Sequence, residues 1–60
     1  MKTEVQERGS LVGTVHRFGE NGVLYEVVRP VDELRAIIRV IDTGEQTSYL
    51  IADILNDPTE

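Results

Sequence analysis

Two stretches rich in apolar residues, each broken near its middle by a short polar run, dominate the pattern of this chain. The first reads Leu11-Val12-Gly13-Thr14-Val15-His16-Arg17-Phe18, pauses at Gly19-Glu20-Asn21-Gly22, and resumes as Val23-Leu24-Tyr25-Glu26-Val27-Val28. β-Branched and aromatic residues fill both arms, which favours strands. Asn21-Gly22 is the strongest local hairpin signal, because a type I′ turn needs positive φ at both central residues. Taken as a two-residue loop, it sets Phe18 opposite Tyr25, Arg17 opposite Glu26 and His16 opposite Val27. That register yields an aromatic pair and an opposite-charge pair, each contributing roughly 0.2–1 kcal/mol. Pro30 ends the second arm, since it cannot donate to a ladder, and residues 31–33 form the connection.

The second stretch admits two readings. As a helix, Val31, Leu34, Ile38 and Ile41 fall on one stripe, with Asp32 and Glu33 in the first turn and Gly44 beyond the end. As a strand, Leu34, Ala36, Ile38 and Val40 line one face and Arg35, Ile37, Arg39 and Ile41 the other. The strand accounts better for Val40, which a helix would place on its polar side, and for the density of side chains stiff at χ1. Gln46 to Leu50 then alternates again after a turn at residues 42–45. A loop of Asp42-Thr43-Gly44 would face Ile38 with Ser48. A loop of residues 41–44 faces Val40 with Glu45, Ile38 with Thr47 and Ala36 with Tyr49. The second separates apolar from polar faces more cleanly and is preferred.

Residues 51–56 read as one or two helical turns stopped by Asp57-Pro58, because a residue before proline avoids the helical region. Ile51, Ile54 and Leu55 are spaced to lay one apolar edge on a sheet. The expected architecture is mainly β, a small α+β fold. It is a four-stranded antiparallel sheet or partly open barrel built from two hairpins, with a short C-terminal helix. Residues 1–10 are expected as a flexible segment, residues 11–57 as one domain, and the last residues as tail.

Composition narrows the support such a fold has. A chain of 60 residues buries only about 60% of its unfolded surface, and small domains usually add disulfides, a metal or a partner. Cysteine is absent and His16 is the only imidazole, so disulfides and thiolate zinc sites are excluded and no cofactor or metal is expected. Association is the support that remains. The net charge is −5, from six Lys+Arg against eleven Asp+Glu, which opposes electrostatic attraction to nucleic acid or anionic lipid. No apolar run approaches a bilayer span and the start is polar. A cytoplasmic protein without membrane contact is the expectation.

Candidate chemistry is sparse. No phosphate-binding loop, metal-ligand spacing or nucleophile–base pair is present, so no enzyme is expected. His16 reads as a half-buried sheet histidine, and the acids Glu20, Asp32, Glu33, Asp42, Glu45 and Asp57 stand in turns or at element ends. The departure from a bland surface is basic. Arg35 and Arg39 point the same way from one strand, about 13 Å apart at a rise of ~3.3 Å per residue, with Ile37 between them, and Arg17 stands on the first hairpin. Arg17, Arg35, Ile37 and Arg39 are the candidate partner-binding face, since mixed arginine and apolar side chains are favoured at interface hot spots.

The residues Phe18-Gly19, Gly22 and Tyr25-Glu26-Val27, followed by Val40, Thr43-Gly44-Glu45, Tyr49-Leu50, Ile54-Leu55 and Asp57-Pro58, resemble a family of short, uncharacterised bacterial proteins, a domain of unknown function. The resemblance covers most of residues 11–58. It implies a small bacterial cytosolic protein with a β-rich fold, and it implies no activity and no functional residues.

Two functions of different class follow as expectations. The favoured one is a protein-interaction or self-associating module, binding a protein partner or forming a homodimer. The alternative is a small nucleic-acid-binding β-domain that uses Arg17, Arg35, Arg39 and an exposed ring of Tyr25 or Phe18, because single-strand binding needs a basic groove and stacking rings. The overall charge and the presence of only three aromatic residues, two Tyr and one Phe, count against it.

Overall fold

The structure is a computed structural model, and it describes residues 11–60. The segment 1–10, expected to be flexible, lies outside the described residues. Four strands follow in chain order, β1 (Val15–Arg17), β2 (Leu24–Pro30), β3 (Arg35–Val40) and β4 (Gln46–Leu50), and a helix α1 (Ile51–Asn56) closes the series. The strands form one antiparallel sheet in the order β1-β2-β3-β4. The sheet is open rather than closed into a barrel, and the fold is mainly β.

The strand reading of the ambiguous second stretch is correct, and so is its register. Ala36 faces Tyr49, Ile38 faces Thr47 and Arg39 faces Gln46. The Val40 amide donates to the Glu45 carbonyl at 2.8 Å, so the loop closes as residues 41–44. Asp32 organises the turn between β2 and β3: its Oδ1 accepts the amides of Leu34 at 2.8 Å and Arg35 at 3.0 Å, a side-chain mimic of a backbone turn.

The first hairpin differs from expectation. His16 faces Tyr25, Arg17 faces Leu24 and Val15 faces Glu26, two residues away from the register that Asn21-Gly22 would set. The Phe18 amide donates to the Val23 carbonyl at 3.1 Å, so residues 19–22 form a four-residue loop. Asn21 does not take positive φ; Gly19 does, at 68°. A shift of two preserves which side chains share a face, and Phe18 still meets Tyr25, now diagonally, with ring centroids 4.4 Å apart. The Arg17–Glu26 pair is lost. Arg17 instead bonds Glu60 at 2.7 Å and Glu26 bonds Arg39 at 2.6 Å.

Gly22 is required in that loop for a steric reason. A Cβ built on it would stand 1.9 Å from the Phe18 carbonyl oxygen and 2.6 Å from the Phe18 Cβ. Backbone cannot yield as a flexible side chain would. Gly22→Ala is expected to cost about 1–3 kcal/mol by forcing the loop open, measured as a fall in the urea midpoint at unchanged m-value.

One face of the sheet carries the core. Tyr25, Val27, Ala36 and Ile38 from the strands meet Ile51 and Ile54 from α1, and Leu11, Phe18 and Tyr49 pack around them. Leu55, expected on the same apolar edge, is 65% exposed, because the short helix turns only residues 51 and 54 onto the sheet. At the helix end the Asp57 amide donates to the carbonyls of Asp53 and Ile54, and Asp57 itself is extended, as a residue before proline must be.

The last residues are not a tail. The Arg17 amide donates to the Pro58 carbonyl at 3.0 Å, the Glu60 amide donates to the Val15 carbonyl at 2.8 Å, and His16 and Thr59 form an antiparallel bridge. α1 therefore leaves β4, crosses the sheet and delivers residues 58–60 to the free side of β1.

Candidate functional site

Two groups of polar side chains stand out, one inside the fold and one on its open face. The inner group gathers around Asp57. Its Oδ2 accepts the Tyr25 hydroxyl at 2.6 Å and the Tyr49 hydroxyl at 3.1 Å, while Oδ1 accepts the Gly19 amide at 3.3 Å. Burial pushes this carboxyl up, but the bonds from Tyr25, Gly19 and Tyr49, and the nearby His16, outweigh it and hold Asp57 below the ordinary carboxylate range. Burial first, and then the bond to Asp57, push the Tyr25 hydroxyl far above its usual value. Tyr49 is raised by the same causes in the same order.

His16 sits beside this group and is 3% exposed, fully buried rather than half buried as the sequence suggested. Its ring stacks on Tyr25 with centroids 5.6 Å apart. The Thr14 hydroxyl has one proton and donates it to the Leu11 carbonyl, so it accepts from His16 Nε2, 2.8 Å away. That assigns the neutral ring its proton on Nε2 and leaves Nδ1 to face the Thr59 hydroxyl at 3.5 Å. Every polar atom in the group has a partner within the fold. The arrangement fastens the helix end and residues 58–60 to the sheet. Among the described residues no three His, Asp or Glu side chains are placed to share a metal ion, and no helix is long and apolar enough to cross a membrane.

The outer face of the sheet carries the arginines. Arg35, Ile37 and Arg39 project from β3 on the side away from the core, as expected from alternation. Arg17 shares that side, since it faces Leu24 in β2, but two things separate it from the others. β2 lies between them, and the Arg17 guanidinium is held by Glu60 at the β1 edge. Arg39 is held by Glu26. Arg35 has no carboxylate partner among the described residues.

The sequence reading missed Arg29. Strict alternation from the buried Tyr25 and Val27 would point Arg29 into the core. The ladder instead slips between Val27 and Arg29, which sets Arg29 opposite Ile37 and Pro30 opposite Ala36. Val28 is thus the extra residue of a β-bulge, a device that re-aims side chains. The signal was present: a guanidinium next in line on a buried face forces the alternation to break. Arg29 is exposed, beside Ile37, and like Arg35 it has no carboxylate partner among the described residues.

The outer face reads in rows across the strands as Arg17, Leu24; then Val15, Glu26, Arg39, Gln46; then Arg29, Ile37, Ser48; then Arg35, Leu50. Apolar side chains (Leu24, Val15, Ile37, Leu50) and four arginines share it with Glu26, Gln46 and Ser48. Of the two rings that a nucleic-acid reading would use, Tyr25 has no accessible surface and Phe18 is half-buried, packed on the core with Tyr25 and Tyr49.

A family model described as a family of unknown function, DUF5397, matches residues 2–60. The chain belongs to that family. No curated protein matches it. The DUF5397 match covers nearly the whole chain, so the outer-face arginines, the Asp57 group and residues 58–60 all lie within the matched span.

Proposed function

We propose that this DUF5397 domain is a non-catalytic protein-binding module that presents the outer face of its sheet. The observation that supports this reading most is the pairing of two unneutralised cations with apolar side chains on one surface. Arg29 and Arg35 flank Ile37 there, and Leu50 beside Arg35 is 42% exposed. A sheet face of a solvated domain normally carries polar alternation, whereas arginine mixed with aliphatic side chains is the composition of interface centres. The inner polar group supports it from the other side, since all its atoms are spent on holding the fold. The cytoplasmic setting expected from the sequence belongs to this proposal.

The variant Arg29→Ser/Arg35→Ser tests it. Neither guanidinium has an ion pair to lose among the described residues, so stability should change by less than about 0.5 kcal/mol. Quantitative affinity capture is run with both chains at equal concentration. The reading is supported when a protein held by the native chain is released at least tenfold by the double variant. It is overturned when both chains retain the same proteins, or when the variant unfolds and shows the two residues to be structural.

A further inference from the structure

The two edges of the sheet are treated differently by the chain. The β1 edge is covered by residues 58–60. The β4 edge ends the strand order with no strand beside it among the described residues, and four of its five residues are exposed. Proteins protect such an edge with lysine, proline, a bulge or a covering loop. Gln46-Thr47-Ser48-Tyr49-Leu50 has no charge, no proline and an unbroken register with β3.

We infer that β4 pairs with β4 of a second copy, antiparallel about a twofold axis at Ser48. The inference rests on the binding-module reading and names the partner for one part of that surface. Backbone direction selects the register. The Val40 amide donates to the Glu45 carbonyl and the Ile51 amide to the Leu34 carbonyl, so residues 45 and 51 aim their backbone groups at β3. Alternation then turns those of Gln46, Ser48 and Leu50 outward. Three outward residues centred on Ser48 are self-complementary: Ser48 faces the partner's Ser48, and Gln46 faces the partner's Leu50. The N–H and C=O of Ser48, the Leu50 N–H and the Gln46 C=O are satisfied in this arrangement, while the Leu50 carbonyl, at the N-cap, serves α1; the pairing is isologous and closed.

None of the residues Gln46 to Leu50 is charged, so the net −5 of each chain is not placed on the seam itself. α1 does not obstruct the approach, because it runs from β4 toward β1 and so away from the seam. Directly paired residues of antiparallel strands point to the same side, so the two outer faces become one. The result is an eight-stranded sheet with Ile37, Ser48, the partner's Ser48 and the partner's Ile37 in a single row.

A five-residue edge buries less than the surface of a standard stable interface, roughly 1,600 Å², so the dimer is expected to be micromolar or weaker. Sedimentation of the full chain across roughly 1 μM to 1 mM should show the mass rise from one chain to two. Ser48 is exposed on the outer face, so Ser48→Lys and Ser48→Glu should keep the native circular dichroism. Each alone should weaken dimerisation at least tenfold, since like charges face each other at the axis. An equal mixture should restore it. The inference is overturned if the native chain stays a monomer throughout, if Ser48→Lys dimerises as the native chain does, or if the mixture associates no better than its components. A native monomer would leave the Arg29/Arg35 capture comparison standing, so the two readings fail separately.

Discussion

Asp57→Ala is expected to remove roughly 3–5 kcal/mol of stability, built from charge-assisted hydrogen bonds of about 1.5–3 kcal/mol each and the cost of stranding a buried hydroxyl. One carboxylate accepts Tyr25, Tyr49 and the Gly19 amide, so three elements lose a common partner at once. Tyr25 is fully buried and its hydroxyl has no second acceptor among the described residues. A chain of this length holds on the order of 3–9 kcal/mol in total, so the variant should be largely unfolded near its working temperature. Asp57→Asn keeps the shape and one acceptor oxygen but loses the charge, and should fall between the two.

The same group sets the pH dependence. Asp57 is held below the ordinary carboxylate range when folded, so the unfolded chain binds the proton first as pH falls. Its contribution is complete above the unfolded value of about 3.9 and disappears as pH drops through the folded one. The tyrosines are shifted the other way. Their contribution is complete below a pH of about 10 and is lost as pH rises beyond it, because only the unfolded chain releases those protons. Tyrosinate absorbance should therefore appear together with unfolding at alkaline pH. Urea midpoints of the native chain and Asp57→Ala should converge in acid. Parallel curves from pH 7 down to pH 2 would show that the carboxylate is not the fastening point.

The parts of this fold legible in the sequence were those governed by local patterning. β3 declared itself through Ile37, Ile38 and Val40, and its pairing with β4 followed from one requirement, that Ala36, Ile38 and Tyr49 share a face. Asp57-Pro58 correctly marked the end of α1. The first hairpin was misread because a local preference lost to packing. Asn21-Gly22 favours a two-residue turn, but the four-residue loop sets His16 against Tyr25 and brings the Gly19 amide to Asp57, 38 residues away in sequence. A short-range rule holds no information about that partner. The role of residues 58–60 was hidden for a related reason: their pairing with β1 exists only once α1 has crossed the sheet. Alternation placed Arg35, Ile37 and Arg39 together on the outer side of the sheet, Arg17 is held by Glu60, and the place of Arg29 on that side was hidden by the bulge at Val28.

Ile54→Ala carries the second large effect, because Ile54 is the side chain with which α1 is most fully buried against the sheet. The helix has six residues, its N-cap Leu50 makes no side-chain capping bond, and no basic residue stands in its last turn. Isolated helices shorter than about 12 residues are marginal in water, so α1 depends on Ile51 and Ile54 against the sheet. Ile54 has no accessible surface, and truncating such a side chain costs roughly 2–5 kcal/mol. The loss should spread along the chain. When α1 lifts, Asp57 leaves the tyrosines and residues 58–60 leave β1. Hydrogen exchange should therefore accelerate at the Arg17 and Glu60 amides, which bond Pro58 and Val15, before it accelerates at the β2–β3 ladder. Leu55→Ala is the matched control, one position along the same helix but 65% exposed, and should change stability by less than about 0.5 kcal/mol. If the two variants cost the same, or if the Arg17 amide stays protected in Ile54→Ala until global unfolding, α1 is not what delivers the C-terminal residues to the sheet edge. The prediction also bears on the proposed dimer seam. The covered β1 edge depends on α1 and the bare β4 edge does not, so loosening the helix should open a second pairing edge and turn a closed dimer into a chain of sheets.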